Sequence, residues 1–363
     1  MYLKNIIISN FKNYENAEFT FHENVNCILG SNGSGKTNLL DAIHYLTFCK
    51  SYFTNHDQFS VKFNADFFAI HGDFLSFQNE NNATKISCLY KNGRKTMKAN
   101  LKEYERLSDH YGLYPLIMVS PYDNDIINEG SEVRRKFFDM IIAQSDKEFL
   151  QQLIHYQKII TQRNIILKQI LYKEHFDTSL LKIYNDQLSP IAQHIFTKRQ
   201  QFIQNIQENF QKYYEYLSGG KESVSLIYSS QLQETEFDNG IQLAEIQDIK
   251  AGFSTFGVHK DDYHFMINEK PLKKFGSQGQ QKSFSLALKL AQYDYVFQIK
   301  KIKPLLLLDD IFDKLDRFRI FQLLELVGKH HFGQVFITDT DEVRMQEILS
   351  THQITHSIFQ IKN

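Results

Sequence analysis

Residues 30–37, with the sequence Gly-Ser-Asn-Gly-Ser-Gly-Lys-Thr, constrain the fold of this chain more than any other stretch. They match the P-loop pattern G-x-x-x-x-G-K-[ST], in which glycines let the backbone fold tightly enough to aim N–H groups at phosphate oxygens. The apolar run 25–29 predicts a buried strand before the loop, and apolar residues recur with helical spacing over 37–48. A strand, a glycine-rich loop and a helix N-terminus in this order predict a phosphate site.

The pattern also predicts what the site binds. In P-loops the lysine, here Lys36, meets the β and γ phosphates, and the following hydroxyl, here Thr37, is offered to Mg²⁺. We therefore expect Mg²⁺ and a nucleotide as cofactors; the loop alone is compatible with kinases, GTPases and motors, and the motifs described below identify the nucleotide as ATP. The residues expected to surround the nucleotide are Gly30, Ser31, Asn32, Gly33, Ser34, Gly35, Lys36, Thr37 and Asn38.

Composition sets limits on the class of protein. The 363 residues, 42% of them hydrophobic, are enough for two or three domains with sizeable cores. A net charge of -1 gives no overall basic field, so any nucleic-acid surface must be local. Three cysteines without metal-ligand spacing predict reduced thiols in a cytoplasmic protein. We expect neither a secretory signal nor a membrane span, and hence no membrane partner.

A second motif lies near the other end of the chain. Residues 305–310, Leu-Leu-Leu-Leu-Asp-Asp, form a Walker B pattern, in which an apolar strand ends in carboxylates at the edge of the sheet where ligands collect. Asp309 is expected to hold Mg²⁺ together with Thr37, because this cation prefers one or two carboxylates plus phosphate oxygens. Asp310 is then the candidate that polarises the attacking water, which makes the chain an ATPase.

A third motif precedes the Walker B strand. Residues 277–282, Ser-Gln-Gly-Gln-Gln-Lys, resemble the S-G-G-Q signature of ABC-type ATPases and lie directly ahead of a predicted helix. Ser277, Gly279 and Gln280 would form a second phosphate cradle. One chain cannot readily wrap both cradles around one γ-phosphate, so we expect the signature to cover ATP bound by a second copy. Residues 313–316 stand where the D-loop crosses such a homodimer, and 338–340 stand where many ABC ATPases carry a switch histidine.

The order of these motifs predicts the domain organisation. The fold class is α/β: an ABC/SMC-type P-loop ATPase head, with a mixed sheet and an antiparallel β layer, into which an α-helical lobe is inserted. We predict the N-terminal half of the head over 1–125, a helical lobe over 126–220 and the C-terminal half over 221–363. An Asn-Gly turn at 92–93 predicts a hairpin in the β layer. The helix over 179–217 is expected to be interrupted or bent near Pro190.

One family resemblance covers the whole length. The segments 10–14, 30–41, 130–139, 257–262, 277–283 and 307–316 together resemble the RecF family of bacterial recombinational-repair ATPases. The resemblance implies an ATP-dependent dimer that binds double-stranded, gapped or junction DNA with a RecR-type mediator, helps to load a recombinase and is released by slow hydrolysis. It also implies nucleotide contacts by Lys12, where the family usually has Arg.

DNA contacts are expected from local basic clusters. The clusters are Lys91, Arg94, Lys95, Lys98 and Lys102 in the hairpin region; Arg134, Arg135 and Lys136; Lys198 and Arg199; and Lys270, Lys273 and Lys274. We favour those in the hairpin and the helical lobe.

Three further interpretations stay open at this point. His259 is interpreted as a structural histidine, held by Asp261 and Asp262, rather than a catalytic one. The alternatives for the whole chain are a generic ABC/SMC-type motor or transporter subunit, and a nuclease fused to an SMC-like head. A nuclease would need an additional acidic domain, for which we expect no room in the chain after residue 310.

Overall fold

The computed structural model describes residues 1–76, 79–172, 179–220, 222–312, 316–329, 331–351 and 354–361. The chain divides into two compact units. Unit 1 contains residues 1–123, 213–221 and 278–363, and unit 2 contains 124–212 and 222–277.

The strands, in chain order, are β1 (Tyr2–Phe11), β2 (Tyr14–Thr20), β3 (Val25–Leu29), β4 (Phe67–Ser76), β5 (Asn79–Lys91), β6 (Arg94–Ala99), β7 (Lys102–Glu103), β8 (Leu116–Val119), β9 (Val224–Ser229), β10 (Asp262–Ile267), β11 (Lys270–Pro271), β12 (Leu305–Leu308), β13 (Val335–Asp339) and β14 (His356–Gln360). The helices are α1 (Lys36–Phe48), α2 (Asp125–Asn128), α3 (Ser131–Ser145), α4 (Lys147–Tyr172), α5 (Ser179–Ser218), α6 (Phe237–Ala251), α7 (Leu272–Phe275), α8 (Gln278–Lys300), α9 (Arg317–Gly328) and α10 (Glu342–Thr351).

A parallel sheet forms the centre of unit 1. Its strand order is β14-β3-β13-β12-β8, so the strand before the P-loop and the Walker B strand flank β13. Strands β3, β8, β12 and β13 are buried along their whole lengths, as their continuous apolar runs predict for strands covered on both faces. The carboxyl ends of β3 and β12 therefore emerge at the same edge.

An antiparallel sheet completes unit 1. Its order is β2-β1-β4-β5-β6-β7. The predicted hairpin is present, with Lys91 opposite Arg94 and positive φ angles of 52° at Asn92 and 75° at Gly93, as an Asn-Gly turn requires. This sheet supplies one face of the core around α1, which includes Ile8, Leu40, Tyr45, Phe68, Ile70 and Phe336. The three cysteines are buried thiols.

Unit 2 combines helices with a small sheet of order β11-β10-β9. Strand β10 packs on α3, and α6 packs on α4. The side chain of Arg199 is buried between Asp139, at 2.8 Å, and Asp261, at 2.6 Å, which joins α5 to α3 and to the segment before β10. Helix α5 continues through Pro190, so the interruption that was one of the two predicted outcomes is wrong, and the bend stays a prediction. The missing N–H donor of Pro190 is offset by buried side chains on either side, such as Leu188 and Ile191.

The two units divide the chain differently from the boundaries that the sequence suggested. Residues 222–277, expected in the head, cluster with the helical segment instead. The reason is packing that the sequence pattern does not reveal, since helix α6 was not predicted, α6 packs on α4, and β10 packs on α3. Among the described residues, no helix is long and apolar enough to cross a membrane.

Candidate functional site

The P-loop follows β3 and leads into α1, in a conformation that depends on its glycines. Gly33 and Gly35 have φ angles of 81° and 113°, which side-chain-bearing residues rarely adopt. A Cβ at Gly30 would lie 2.6 Å from the carbonyl oxygen of Ile361, where the chain passes after β14. The loop is therefore shaped by close backbone approach as well as by unusual dihedral angles.

Two residues from the turn between β1 and β2 hold the loop. The Asn13 side-chain amide donates to the carbonyl oxygen of Ser34 at 3.0 Å and accepts from the Asn38 amide at 2.8 Å. The Tyr14 hydroxyl donates to the Gly35 carbonyl oxygen at 3.0 Å. Neither residue was predicted to contact the loop, although both belong to the segment 10–14 on which the family resemblance rests.

Lys36 is buried at the start of α1, with 3% of its surface exposed. Its ammonium group donates to the carbonyl oxygens of Gly30 and Ser31, at 2.9 and 3.2 Å. The hydroxyl of Ser34 is buried and has no hydrogen-bond partner within the described part of the chain. An unpaired buried hydroxyl beside a buried ammonium group fits a loop whose further partner is an anion.

The Walker A and Walker B motifs meet through Thr37 and Asp309. The Thr37 hydroxyl lies 2.9 and 3.1 Å from the two carboxylate oxygens of Asp309, which is itself 2% exposed. Burial raises the pKa of Asp309 to about 6. The neighbouring Asp310 carboxylate raises this pKa as well, whereas the hydrogen bonds from Thr37 and Thr338 lower it. A hydroxyl and a carboxylate at this separation are a donor set that fits Mg²⁺.

Thr338, near the end of β13, contacts both Walker B aspartates. Its hydroxyl donates to Asp309 at 3.0 Å and accepts the backbone N–H of Asp310 at 2.8 Å. Asp310 has a φ of 43°, so this hydrogen bond supports a backbone conformation that aspartate seldom adopts. The position at which we noted only the place of a switch histidine thus contributes a hydroxyl to the site.

Lys12 is placed against α1. Its ammonium group lies 2.6 Å from Asp41, a fully buried carboxylate that also accepts from the Ser51 hydroxyl and the Tyr52 N–H, each at 2.7 Å. The ring of Phe53 lies beneath the same ammonium group, and the distance from the ring centroid to the Lys12 nitrogen is 5.1 Å. The ion pair of Lys12 with Asp41 therefore attaches the turn between β1 and β2, which contains Asn13, to helix α1, which begins with Lys36.

A second buried ion pair connects the signature helix to the parallel sheet. Lys289 of α8 lies 3.0 Å from Asp123 and donates to the Met118 carbonyl oxygen at 2.7 Å. The Tyr52 hydroxyl donates to Asp123 at 2.6 Å. No local pattern in the sequence predicts this pairing, because its two residues are far apart along the chain.

The signature residues lie at the start of α8. Ser277 is exposed and ends unit 2, whereas Gly279 and Gln280 belong to the first turn of the helix in unit 1. The Gly279 carbonyl oxygen accepts from the Ser283 hydroxyl at 3.1 Å, and that hydroxyl accepts from Arg319 at 2.5 Å. Asp316 caps the N-terminus of α9 through the Arg319 N–H at 2.9 Å. Residues 313–315 of the predicted D-loop lie outside the described residues.

His259 is a structural residue in unit 2. Its Nδ1 lies 2.8 Å from the Tyr156 hydroxyl and its Nε2 lies 3.0 Å from the Ser254 carbonyl oxygen. Because a carbonyl only accepts, Nε2 carries the proton and Nδ1 accepts from Tyr156. Burial lowers the pKa of His259 to about 4.

The expectation that Asp261 and Asp262 hold His259 is wrong, because arginines occupy both carboxylates. Asp261 lies 2.6 Å from Arg199, and Asp262 lies 2.7 Å from Arg134.

Comparison with known proteins agrees with these motifs. Residues 2–362 match the family model described as RecF/RecN/SMC N terminal domain. The DNA replication and repair protein RecF of Flavobacterium johnsoniae is 43% identical over 363 residues, which cover 99% of this chain and 100% of the relative.

Solved structures agree as well. The recombination mediator protein RecF with ATP, of the RecFOR pathway, superposes with a TM-score of 0.88 at 29% identity, over 99% of this chain and 95% of that one. An Smc head bound to the C-winged helix domain of ScpA has a TM-score of 0.56 at 16% identity, over 95% of this chain and 91% of the other, and shows a shared fold. The chain therefore belongs to the RecF family, and it has the ATP-binding domain that this family shares with RecN and the SMC proteins.

Proposed function

We propose that this protein is a Mg²⁺-dependent ATPase of recombinational DNA repair that dimerises around ATP on DNA. The observation that carries the proposal is the contact of Thr37 with Asp309, since it joins the P-loop to the Walker B strand in one oxygen-lined site. Membership of the RecF family supports the repair role. It disfavours the alternative of a generic motor or transporter subunit.

Each residue has a proposed task. The backbone N–H groups of residues 30–38 and the Lys36 ammonium group bind phosphate oxygens. Thr37 and Asp309 would hold Mg²⁺, which neutralises charge on the phosphates when it is bound. Asp310 orients the attacking water and polarises it. Lys12 acts through Asp41 to fix the nucleotide loop rather than through contact with the nucleotide.

Ser277, Gly279 and Gln280 are proposed to cover ATP bound by a second copy of the chain. Their support is the place of the motif at the exposed N-terminal end of α8, whose dipole favours an anion. The double-stranded, gapped or junction DNA partner, the RecR-type mediator and the recombinase are proposed from family membership. The RecFOR pathway named for the solved relative supports that choice.

The test of the ATPase assignment is Asp310→Asn. We expect this variant to bind ATP with unchanged affinity, to hydrolyse it at least about a hundredfold more slowly, since orientation of the nucleophile is most of what the protein supplies, and to accumulate as an ATP-bound dimer on size-exclusion chromatography. Hydrolysis at the wild-type rate would contradict the role of Asp310. Binding of gapped and blunt duplexes with and without ATP tests the repair role, and equal, nucleotide-independent binding would favour the generic ATPase.

A further inference from the structure

The structure separates the basic clusters into those that are engaged internally and those that face outward. In unit 2, the arginines and three lysines of the predicted DNA-binding clusters contact acidic or carbonyl groups of the same unit. These residues are Arg134 with Asp262 at 2.7 Å, Arg135 with the Asp261 carbonyl oxygen at 2.7 Å, Lys136 with Glu132 at 2.8 Å, Lys198 with Asp146 at 2.6 Å, Arg199 with Asp139 and Asp261, and Lys273 with the Asn128 carbonyl oxygen at 2.6 Å. The three arginines and Lys198 hold unit 2 together, so most of the basic side chains in the helical-lobe clusters are already engaged within the unit.

The hairpin cluster is different, because part of it lines an open groove of about 700 Å³ on the antiparallel sheet of unit 1. Ala69, Leu89 and Thr96 form its floor, and the charged lining includes Lys91, Arg94 and Lys98. Lys95 is not part of this lining, since it points to Asp57 at 2.8 Å.

Strand register explains why these side chains share one face. Lys98 lies opposite Ser87, which lies opposite His71, and Lys91 lies opposite Arg94. Between these two cationic rows lies a neutral row, in which Ala69, Leu89 and Thr96 are paired across three strands. Residues two apart on a strand point to the same side, so the whole set faces away from the core that Phe68, Ile70, Cys88 and Met97 build on the other side.

The charge and the spacing of this face fit a phosphate backbone. Arg94 and Lys98 are four residues apart on β6, or about 13 Å at roughly 3.3 Å per residue, so they can contact different phosphates of one backbone. One carboxylate in the lining, Glu103, lies 3.3 Å from Arg94, and both side chains are exposed, so this pair is weak enough to exchange for a phosphate. The chain as a whole has a net charge of -1, so the positive character is local to the face.

We propose that the outer face of the antiparallel sheet binds the phosphate backbone of duplex DNA through Lys91, Arg94 and Lys98. The inference rests on the proposed function and assigns the DNA surface that this function requires. Binding at this face is independent of base sequence, because the lysine and arginine side chains donate to phosphate oxygens and do not contact the edges of the bases. The exposed Leu89 side chain, between the cationic rows, would contact sugar faces.

The test compares two triple variants of the full chain with equal loss of charge. Lys91→Gln, Arg94→Gln and Lys98→Gln remove the proposed contacts. Lys158→Gln, Lys212→Gln and Lys250→Gln remove three exposed lysines of unit 2 and serve as the control. Binding of a labelled blunt duplex, with ATP present, is measured by fluorescence anisotropy between about 50 and 200 mM salt, a range over which phosphate contacts dominate the change in affinity.

We expect the sheet-face variant to lose between about tenfold and several hundredfold in affinity at about 0.1 M salt, and the slope of log affinity against log salt to fall by about 2 to 3. The control should keep the wild-type slope, and both variants should bind ATP as the wild type does. If the wild type binds duplex and the sheet-face variant keeps its affinity and slope, or the control loses as much, the face is not the DNA surface. If the wild type itself binds no duplex with ATP, the proposed DNA function fails instead.

Discussion

The hydroxyl of Thr37 and the carboxylate of Asp309 lie 2.9 Å apart although 272 residues separate them along the chain. The contact exists because β3 and β12 both flank β13 in a parallel sheet, so the P-loop and the Walker B carboxylates emerge at one edge. A helical unit inserted between the two motifs leaves this geometry intact, since unit 1 is assembled from both ends of the chain.

Replacement of Gly35 by alanine should weaken nucleotide binding. A Cβ there would lie 2.4 Å from the Asn13 amide nitrogen, at a φ of 113° that costs alanine about 1 to 2 kcal/mol by itself. Because Asn13 holds the loop, we expect ATP affinity, measured by isothermal titration calorimetry, to fall at least about tenfold, or 1.4 kcal/mol. Gly93→Ala is the matched control: it has a φ of 75° with nothing within 4 Å, and should leave ATP affinity unchanged. Wild-type affinity in Gly35→Ala would contradict the proposed fit.

Thr338→Val should slow hydrolysis more than it weakens ATP binding. The substitution keeps the shape of the side chain but leaves the Asp310 N–H without its 2.8 Å partner and Asp309 with Thr37 alone of its two hydroxyl donors, at a cost of about 1 to 3 kcal/mol. We expect kcat to fall about tenfold or more, since 1.4 kcal/mol corresponds to a factor of ten. Thr338→Ser restores the hydroxyl and should recover most of the rate; equal rates for the valine and serine variants would show that the hydroxyl does not act.

Stability should fall in acid because of His259. Its pKa drops from the ordinary 6.5 to about 4 in the folded protein, so between these values the unfolded chain binds the additional proton. The stabilisation by neutral His259 is complete above pH 6.5 and decreases as the pH falls toward 4, by at most about 3 kcal/mol. Thermal unfolding of His259→Gln should depend less on pH over this range than the wild type does. The exposed His264→Gln is the control and should keep the wild-type dependence.

The ion pair of Lys289 with Asp123 should matter far more than a surface pair. Both side chains are below 10% exposed, at 7% and 8%, so Lys289→Met leaves a buried carboxylate without its cation and should cost about 3 to 5 kcal/mol in urea unfolding. The double variant with Asp123→Asn should be more stable than Lys289→Met alone. Lys329 forms an ion pair with Glu325, and the Lys329 side chain is 67% exposed. Lys329→Met should therefore cost less than about 1 kcal/mol. Equal costs for the two lysines would rule out a structural role for the buried pair.

Local patterns were sufficient to predict the elements that carry the nucleotide site. The strands Val25–Leu29 and Leu305–Leu308 have the predicted bounds, because runs of apolar residues reflect strands that are buried on both faces. Helix α6 escaped prediction, since few of its apolar positions are buried and Leu243 and Ile246 are 80% and 70% exposed. Its membership of unit 2 depends on contacts with α4 that no local pattern encodes.

The sequence by itself determined the chemistry of the site: the order and spacing of Lys36, Thr37, Asp309 and Asp310 identify a nucleotide site because P-loop geometry requires glycines and a hydroxyl at fixed positions. Only the tertiary structure decided which other residues support that site, and which basic residues are engaged internally. Asn13 contacts the P-loop and Thr338 contacts Asp309 from other segments of the chain, and Lys12 pairs with Asp41 of α1. Arg134 and Arg199 are paired with acidic residues more than 50 positions away. Such pairings depend on how strands and helices are brought together in space, which the periodicity of a single segment cannot specify.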